Sequence, residues 1–221
     1  MKITDGIYQV DGVNCRVYLV EDGDKLILID TGLPRSDKKI LNELQSLGRK
    51  PTEVSTIVFT HHHMDHIGSA AKMKRATGAK TAAHEADSDY IAGNKTPPKP
   101  KNLMFKVLSS FVKPSPVGVD LILKDGDKVG RLLVIHTPGH SEGSITLLDT
   151  DRKTMFVGDA LRFIDGNLQE PPAQFTLDNA KAKESIRKIA NYDFDIMLSG
   201  HGDPITEKAS QKVREFSATL A

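Results

Sequence analysis

The sequence predicts a mixed α/β protein whose β-sheets lie in the interior, with helices packed on their outer faces. Two observations predict this class. Short apolar runs bounded by glycine and aspartate recur along the chain, which is typical of buried strands. Segments with apolar residues at helical spacing alternate with those runs, and this order favours sheets in the middle and helices outside.

The first half of the chain begins with a predicted β-hairpin in the segment "CRVYLVEDGDKLILIDTG", where two apolar runs flank the turn residues EDGD. A helix is predicted between Ser36, as its N-cap, and Gly48, as its end. Its apolar face would be formed by Ile40, Leu41, Leu44 and Leu47. The strand "STIVFT", the helix "GSAAKMKRATG" and the strand "AKTAAH" complete this half.

The second half returns to strands. Four are predicted in succession, in "VDLILKDGDKVG", "RLLVIHT", "SITLLD" and "TMFVGD". The chain then continues through the helix "DNAKAKESIRKIA", the strand "DIMLSG" and a closing helix in "TEKASQKVREFSATL".

Composition limits the classes of function. The chain has 221 residues, which favours one large domain over residues 1–221, or at most two small ones. A formal net charge of +1 gives no general attraction to nucleic acids or membranes. Cys15 is the single cysteine, which excludes an internal disulfide and a metal site made of thiolates alone. Because the sequence shows neither a signal peptide nor an apolar stretch long enough to span a membrane, we expect a cytoplasmic protein.

Residues 90–119 interrupt the alternation of strands and helices. This insertion contains five prolines, five lysines and no acidic residue, and "NLMFKVLSSFV" within it is apolar enough for a short helix. Long insertions in compact domains often act as lids. We therefore expect residues 95–113 to cover the active site and to favour anionic substrates, with a dimer contact or a plain surface loop as alternatives.

The stretch "HHHMDH" carries the strongest chemical signal in the chain. In an extended segment His61 and His63 point to the same face, and Asp65 and His66 follow where the chain turns into the next helix. Imidazole and carboxylate groups are metal ligands. A cluster of this spacing therefore predicts a metal site.

Three further motifs place a potential ligand at the end of a predicted strand, beside a glycine. They are "TPGHS" with His140, "VGDA" with Asp159 and "SGHG" with His201. In folds built of sheets and helices, ligands collect at strand ends, and glycine lets the backbone turn sharply there. The three motifs are candidates to complete the metal site.

Together these motifs resemble the metallo-β-lactamase superfamily. "LIDTG", "THHHMDH", "TPGHS", "VGDA" and "SGHG" occur in the family's order, and the likeness covers nearly the whole chain. The resemblance implies an α+β fold, a four-layer αββα sandwich with a two-metal site at one edge. It assigns one metal to His61, His63 and His140, the other to Asp65, His66 and His201, and the bridging position to Asp159. Asp30 of "LIDTG" would support the site from behind without binding a metal.

The chemistry of this ligand set is consistent with hydrolysis. Nitrogen and oxygen ligands without thiolate suit Zn²⁺, and also Fe²⁺ or Mn²⁺. Two such ions lower the pKa of a shared water to roughly 7 and so supply a bridging hydroxide as the nucleophile. Asp65 could in addition pass a proton to the leaving group. We therefore predict a dinuclear hydrolase, most simply with zinc.

Family comparisons favour a small hydrolase that resembles glyoxalase II and the lactonases, acting on a small-molecule ester, thioester or lactone. Asp159 argues against a true metallo-β-lactamase, in which the bridging aspartate is missing. Lactonases of homoserine lactones carry a tyrosine just after the bridging aspartate, where this chain has Arg162. Glyoxalase II enzymes add a helical domain after the last histidine, where this chain has one helix.

Two alternatives remain open. The first is a nucleic-acid phosphodiesterase of the RNA-processing kind, which the lysines of the insertion favour. The second is a persulfide dioxygenase with a single iron. The sequence predicts no oligomeric state.

The remaining polar residues of interest carry weaker signals. We expect His62 to be a tolerated polar side chain, with a rim position or proton shuttling as the alternative. A supporting or structural role is expected for His84, and a position in the core for His136. Cys15 is expected to be a small buried apolar residue.

Overall fold

The computed structural model describes residues 1–97 and 114–220. The chain forms two compact units, residues 1–123 and residues 124–221. The expected lid over residues 95–113 and its short helix fall, apart from residues 95–97, outside the described residues. The expectation of one domain over residues 1–221 stays a prediction.

The first unit is built on a seven-stranded sheet in the order β1-β2-β3-β4-β5-β6-β7. Neighbouring strands are antiparallel from β1 to β4 and parallel from β4 to β7. The strands are β1 (Lys2–Thr4), β2 (Ile7–Gln9), β3 (Tyr18–Asp22), β4 (Lys25–Ile29), β5 (Val54–Val58), β6 (Lys80–His84) and β7 (Leu121–Leu123). The helices are α1 (Asp37–Ser46), α2 (Met64–Ile67), α3 (Ala70–Thr77) and α4 (Glu85–Ile91), with a 3₁₀ turn at Pro51–Glu53.

Helix α1 packs on this sheet as its apolar spacing predicts. Ile40 and Leu44 are fully buried in one cluster with Leu26 and Leu28 of β4. Ser36 occupies the N-cap position, but its side chain does not cap the helix. Instead Ser69 Oγ accepts hydrogen bonds from the backbone N–H groups of Ser36, at 2.9 Å, and of Asp37, the first helical residue, at 3.2 Å. A tertiary contact thus replaces the local cap that the sequence predicts.

The second unit is built on a five-stranded sheet in the order β14-β11-β10-β9-β8, with a separate two-stranded hairpin. The sheet strands are β8 (Lys128–Val129), β9 (Leu132–His136), β10 (Ile145–Asp149), β11 (Thr154–Gly158) and β14 (Ile196–Ser199). The hairpin strands are β12 (Arg162–Ile164) and β13 (Asn167–Gln169). The helices are α5 (Asn179–Ile189) and α6 (Ala209–Thr219).

Buried apolar side chains of β11, α5 and α6 form the core of the second unit. Helix α5 begins at a true cap, because Asp178 Oδ1 accepts hydrogen bonds from the N–H groups of Ala180 and Lys181 at 3.0 and 3.1 Å. Strand β11 is parallel to β14. Their carboxyl ends therefore lie side by side, and both lead into predicted metal ligands.

Sequence patterns predicted the longer elements. The elements that were not predicted are all short, namely β1, β2, the 3₁₀ turn, α2, α4 and the β12–β13 hairpin. The segment "VDLILKDGDKVG", predicted as one strand, forms β7 of the first sheet and β8 of the second. Within the described residues, no helix combines the length and apolarity that crossing a membrane requires.

Candidate metal centre

The histidine cluster lies directly after β5, in the turn that leads into α2. His61 and His66 are buried, whereas His63 and Asp65 are partly exposed. The rings of His61 and His63 meet edge to face with centroids 4.6 Å apart, and the centroids of His61 and His66 are 3.9 Å apart. Ligating atoms of His61 lie within 4.8 Å of those of His63, and also within 4.8 Å of those of His66. The first unit therefore gathers three imidazoles at one strand end.

Asp30 supports this cluster from the end of β4. The residue is 1% exposed and has a φ of 60°, which is uncommon outside glycine. Its carboxylate accepts hydrogen bonds from the backbone N–H and the hydroxyl of Thr60, at 2.8 and 2.7 Å. The other contact is with His66, whose Nδ1 lies 2.8 Å from Asp30 Oδ2. A carboxylate in this position fixes the orientation of the ring, as second partners of metal-binding histidines do.

Cys15 is buried, as expected, but it also touches a predicted ligand. Its Sγ lies 3.3 Å from Nδ1 and 3.4 Å from Nε2 of His66. Because the two residues are 51 positions apart, no local pattern in the sequence indicates this contact.

His62 has more specific contacts than the tolerated polar side chain, or the rim residue or proton shuttle, that the sequence leads us to expect. The side chain is 7% exposed, and its ring stacks on Tyr90 with centroids 4.5 Å apart. Asp87 of α4 accepts a hydrogen bond from the His62 backbone N–H at 2.9 Å, and the same oxygen lies 2.9 Å from His62 Nδ1. His62 therefore anchors the cluster to α4, and its burial leaves it no position at a rim.

In the second unit, the parallel pairing of β11 with β14 brings Asp159 and His201 together. Gly158 is the register partner of Ser199, and the N–H of Gly200 donates to the carbonyl of Gly158 at 2.7 Å. Beyond this point His201 Nε2 lies 3.6 Å from Asp159 Oδ2.

His140 reaches the same carboxylate from the loop after β9. Its Nε2 lies 3.4 Å from Asp159 Oδ2, and its Nδ1 lies 3.5 Å from Thr176 Oγ1. Gly139 precedes it with a φ of 128°, and a Cβ at this position would lie 2.3 Å from the backbone nitrogen of Ala182. Only glycine lets the loop approach α5 this closely. No motif in the sequence pointed to Thr176.

The spacing in the second unit fits metal coordination. Two ligands about 2.1 Å from a tetrahedral zinc ion lie roughly 3.4 Å apart. The observed 3.4 and 3.6 Å separations match this value, and one carboxylate oxygen faces both imidazoles. Imidazole and carboxylate donors suit zinc, iron(II) and manganese.

The structure thus distributes the seven predicted ligands over two sets. The first unit holds His61, His63, Asp65 and His66, and the second holds His140, Asp159 and His201. The side chain of Asp65 is 34% exposed, and its Oδ2 lies 3.9 Å from His66 Nε2. The assignment of the seven side chains to one dinuclear centre stays a prediction.

The two remaining histidines have structural contacts. His84 ends β6 and caps α4, since its Nδ1 accepts a hydrogen bond from the N–H of Ala86 at 3.2 Å. His136 is only partly buried, in contrast to the core position expected from its apolar strand, because its side chain turns toward the next loop. Its Nε2 lies 2.9 Å from the carbonyl oxygen of Glu142.

Comparisons with known proteins identify the family that shares these features. The model of the metallo-beta-lactamase superfamily matches residues 10–201. The probable metallo-hydrolase YflN of Bacillus subtilis (strain 168) is 29% identical over 213 residues, covering 87% of this chain and 81% of that protein. The acyl-coenzyme A thioesterase MBLAC2 of Homo sapiens is 31% identical over 198 residues, covering 76% of this chain and 67% of that protein.

A solved structure supports the fold. A metallo-beta-lactamase family protein from Thermus thermophilus superimposes with a TM-score of 0.77 at 22% identity, covering 98% of this chain and 80% of that one. The metallo-β-lactamase fold predicted from the sequence motifs is therefore confirmed.

Proposed function

Since the chain belongs to the metallo-β-lactamase superfamily and is a metal-dependent hydrolase, we propose that it cleaves an ester, thioester or lactone bond at a dinuclear metal centre. The observation that carries this proposal is the carboxylate of Asp159. One of its oxygens faces His140 and His201 together, at 3.4 and 3.6 Å, as a carboxylate bridging two ions would.

The seven predicted ligands have distinct roles in this proposal. His61, His63 and His140 would hold one ion, Asp65, His66 and His201 would hold the other, and Asp159 would lie between them as the shared ligand. Zinc is the simplest occupant, with Fe²⁺ or Mn²⁺ as alternatives. Asp30 holds the His66 ring in its binding orientation through the 2.8 Å contact.

Two divalent ions held there would supply a nucleophilic hydroxide near neutral pH and would stabilise negative charge on the attacked group. The chain's own contribution to proton transfer is Asp65. Its side chain is 34% exposed, so it can exchange protons with a substrate or with solvent. Asp65 would take up the proton that the attacking hydroxide loses and would pass it to the leaving group as the scissile bond breaks.

A thioester is the first substrate class to test. The human relative is named an acyl-coenzyme A thioesterase and is 31% identical over 198 residues. A thiolate is a good leaving group, and one partly exposed carboxylate is sufficient to assist its departure.

Metal analysis with a substrate panel tests the proposal. Gently purified protein should contain close to two metal ions per chain and hydrolyse thioesters, esters or lactones in preference to phosphodiesters. Asp159→Ala should lose most of this activity while the fold survives, because the bridging carboxylate lies at a strand end and not in the core.

Two outcomes would contradict the proposal. One iron per chain with oxygen consumption on persulfides would identify a dioxygenase. Salt-dependent cleavage of RNA without turnover of acyl substrates would identify a phosphodiesterase. Of the lysines that favour the phosphodiesterase alternative, only Lys95 lies within the described residues. Its Nζ is 3.9 Å from Asp89 Oδ2 and 5.7 Å from the Tyr90 ring centroid.

A further inference from the structure

We propose that Arg162 binds a negatively charged group of the substrate, a carboxylate or a phosphate, and so selects anionic acyl compounds. The inference rests on the proposed hydrolase function and adds the substrate class to it.

The guanidinium of Arg162 has an unsatisfied donor. Its Nε is buried, and among residues 1–97 and 114–220 no hydrogen-bond partner lies within reach. Nor does a carboxylate of the described chain form an ion pair with this arginine. A buried donor of a charged group is costly to leave without an acceptor. A substrate anion would supply that acceptor.

The position of Arg162 in the second unit connects it with the predicted ligands. It lies three residues after Asp159, at the start of β12, opposite Gln169 of β13. The next residue, Phe163, forms a parallel bridge to Gly202 and accepts a hydrogen bond from the Asp203 N–H at 2.8 Å. The hairpin is thereby fixed to the turn that carries His201.

The two faces of β12 have different environments. Phe163 packs against the apolar core of the unit, and Lys212 Nζ of α6 lies 5.9 Å from its ring centroid. Because neighbouring residues of a strand point to opposite faces, Arg162 faces away from α6 and from this core. The arginine is therefore not needed to cover the core.

Arginine is suited to this role by its chemistry. Its planar fork of N–H groups matches the oxygens of a carboxylate or phosphate and donates two parallel hydrogen bonds. A lysine would keep the charge but lose the paired geometry. This difference allows the geometry to be tested separately from the charge.

The kinetic test compares three thioesters of similar length with the metal-loaded enzyme. One is neutral, one carries a carboxylate in the acyl part, and one carries a phosphate in the leaving group. Arg162→Gln should raise KM about tenfold or more for one of the charged substrates, with kcat and the neutral substrate little changed. The affected substrate identifies which end of the molecule the arginine binds.

Two further variants refine the test. Arg162→Lys should restore only part of the loss, because it retains the charge without the fork. Lys212→Gln is the matched control, since it removes a positive charge from the other face of the same hairpin. It should leave KM for all three substrates unchanged.

A second readout does not depend on turnover. In the metal-free protein, the Nε–H NMR signal of Arg162 should shift on addition of glutarate or inorganic phosphate, and Arg162→Gln should lack this signal. An equal KM increase for neutral and charged substrates, or a signal that neither anion shifts, would overturn the role of Arg162. Absence of turnover for every acyl substrate would instead overturn the proposed function, and the NMR result would still decide on anion binding.

Discussion

At the scale of single residues, we expect the hydrogen bond between Asp87 and His62 to affect metal binding although neither residue is a predicted metal ligand. Asp87 is fully buried and accepts the backbone N–H of His62, in the middle of the predicted metal-binding turn. Asp87→Ala leaves that N–H without its acceptor, at a cost of about 1–3 kcal/mol. We expect metal affinity to fall about tenfold or more, as for other outer partners of metal ligands. Equilibrium competition with a chelator measures this metal affinity.

His62→Ala is the matched comparison. This variant keeps the backbone hydrogen bond to Asp87 and loses only the ring contacts with Asp87 and Tyr90. It should therefore retain its metal ions. Asp87→Asn should recover part of the affinity, because an amide oxygen still accepts a hydrogen bond. Wild-type affinity in Asp87→Ala, or equal losses in Asp87→Ala and His62→Ala, would show that the carboxylate does not position the turn.

Residue chemistry was predictable from sequence where spacing is local. The "HHHMDH" stretch indicates a metal site because the ligands are adjacent in the chain. Asp87 lies 25 positions from His62, and Cys15 lies 51 positions from His66. Such contacts depend on the order of the strands in the sheet, and no pattern in a single sequence indicates that order.

At the scale of elements, the turn after β14 depends on close approach to β12. A Cβ on Gly202 would lie 2.3 Å from the carbonyl oxygen of Phe163, and the residue has a φ of 112°. Gly202→Ala must therefore separate the turn from the hairpin and shift His201. We expect a loss of about 1–3 kcal/mol in the free energy of unfolding, from strain of this kind, and a larger relative loss of kcat/KM.

Gly166→Ala provides the control for this prediction. Gly166 lies in the turn of the same hairpin with a φ of 78°, but no atom lies within 4 Å of an added Cβ. Its variant therefore carries the conformational strain without the collision. If both variants lose similar stability but only Gly166→Ala keeps its activity, the loss of activity in Gly202→Ala is caused by the displaced His201. Equal activities in both variants would contradict the prediction.

The short elements explain which parts of the fold were not predictable from sequence. Each strand of the β12–β13 hairpin has three residues, too few for an apolar alternation to be recognised. Helix α1, in contrast, spans 10 residues with apolar side chains at helical spacing, and was predicted within two residues at each end. Length of the periodic pattern thus separates the predicted elements from the missed ones.

At the scale of the whole molecule, each unit contains an aspartate whose carboxylate is hydrogen-bonded to one or two basic side chains. In the second unit, burial alone would raise the pKa of Asp149, but hydrogen bonds from Arg131 and Arg152 lower it below the usual range. In the first unit, the side-chain hydrogen bond from Lys74 and the backbone N–H of Thr81 lower the pKa of Asp120 to about 2. Both lowered pKa values make the free energy of unfolding depend on pH in the acidic range.

The lowered pKa of Asp120 determines the direction in which stability changes with pH. A carboxyl whose pKa is lower in the folded than in the unfolded chain stabilises the fold fully above the unfolded value of about 3.9. The contribution is lost as the pH falls through the folded pKa of about 2. Urea unfolding of metal-free protein should therefore show wild type more stable than Asp120→Asn at pH 6. The difference should shrink steadily between pH 4 and pH 2.

Lys74→Met tests the cause of this shift. Lys74 Nζ lies 2.6 Å from Asp120 Oδ2 and supplies its largest stabilising contact. Without the ammonium group, the folded-state pKa of Asp120 should rise toward its unfolded value. The loss of stability caused by Asp120→Asn should then depend less on pH in the Lys74→Met background than in wild type. Because the Asp120 side chain is 40% exposed, added salt should weaken the effect as well. Parallel loss of stability in wild type and Asp120→Asn from pH 4 to pH 2 would show that other carboxyls govern acid unfolding.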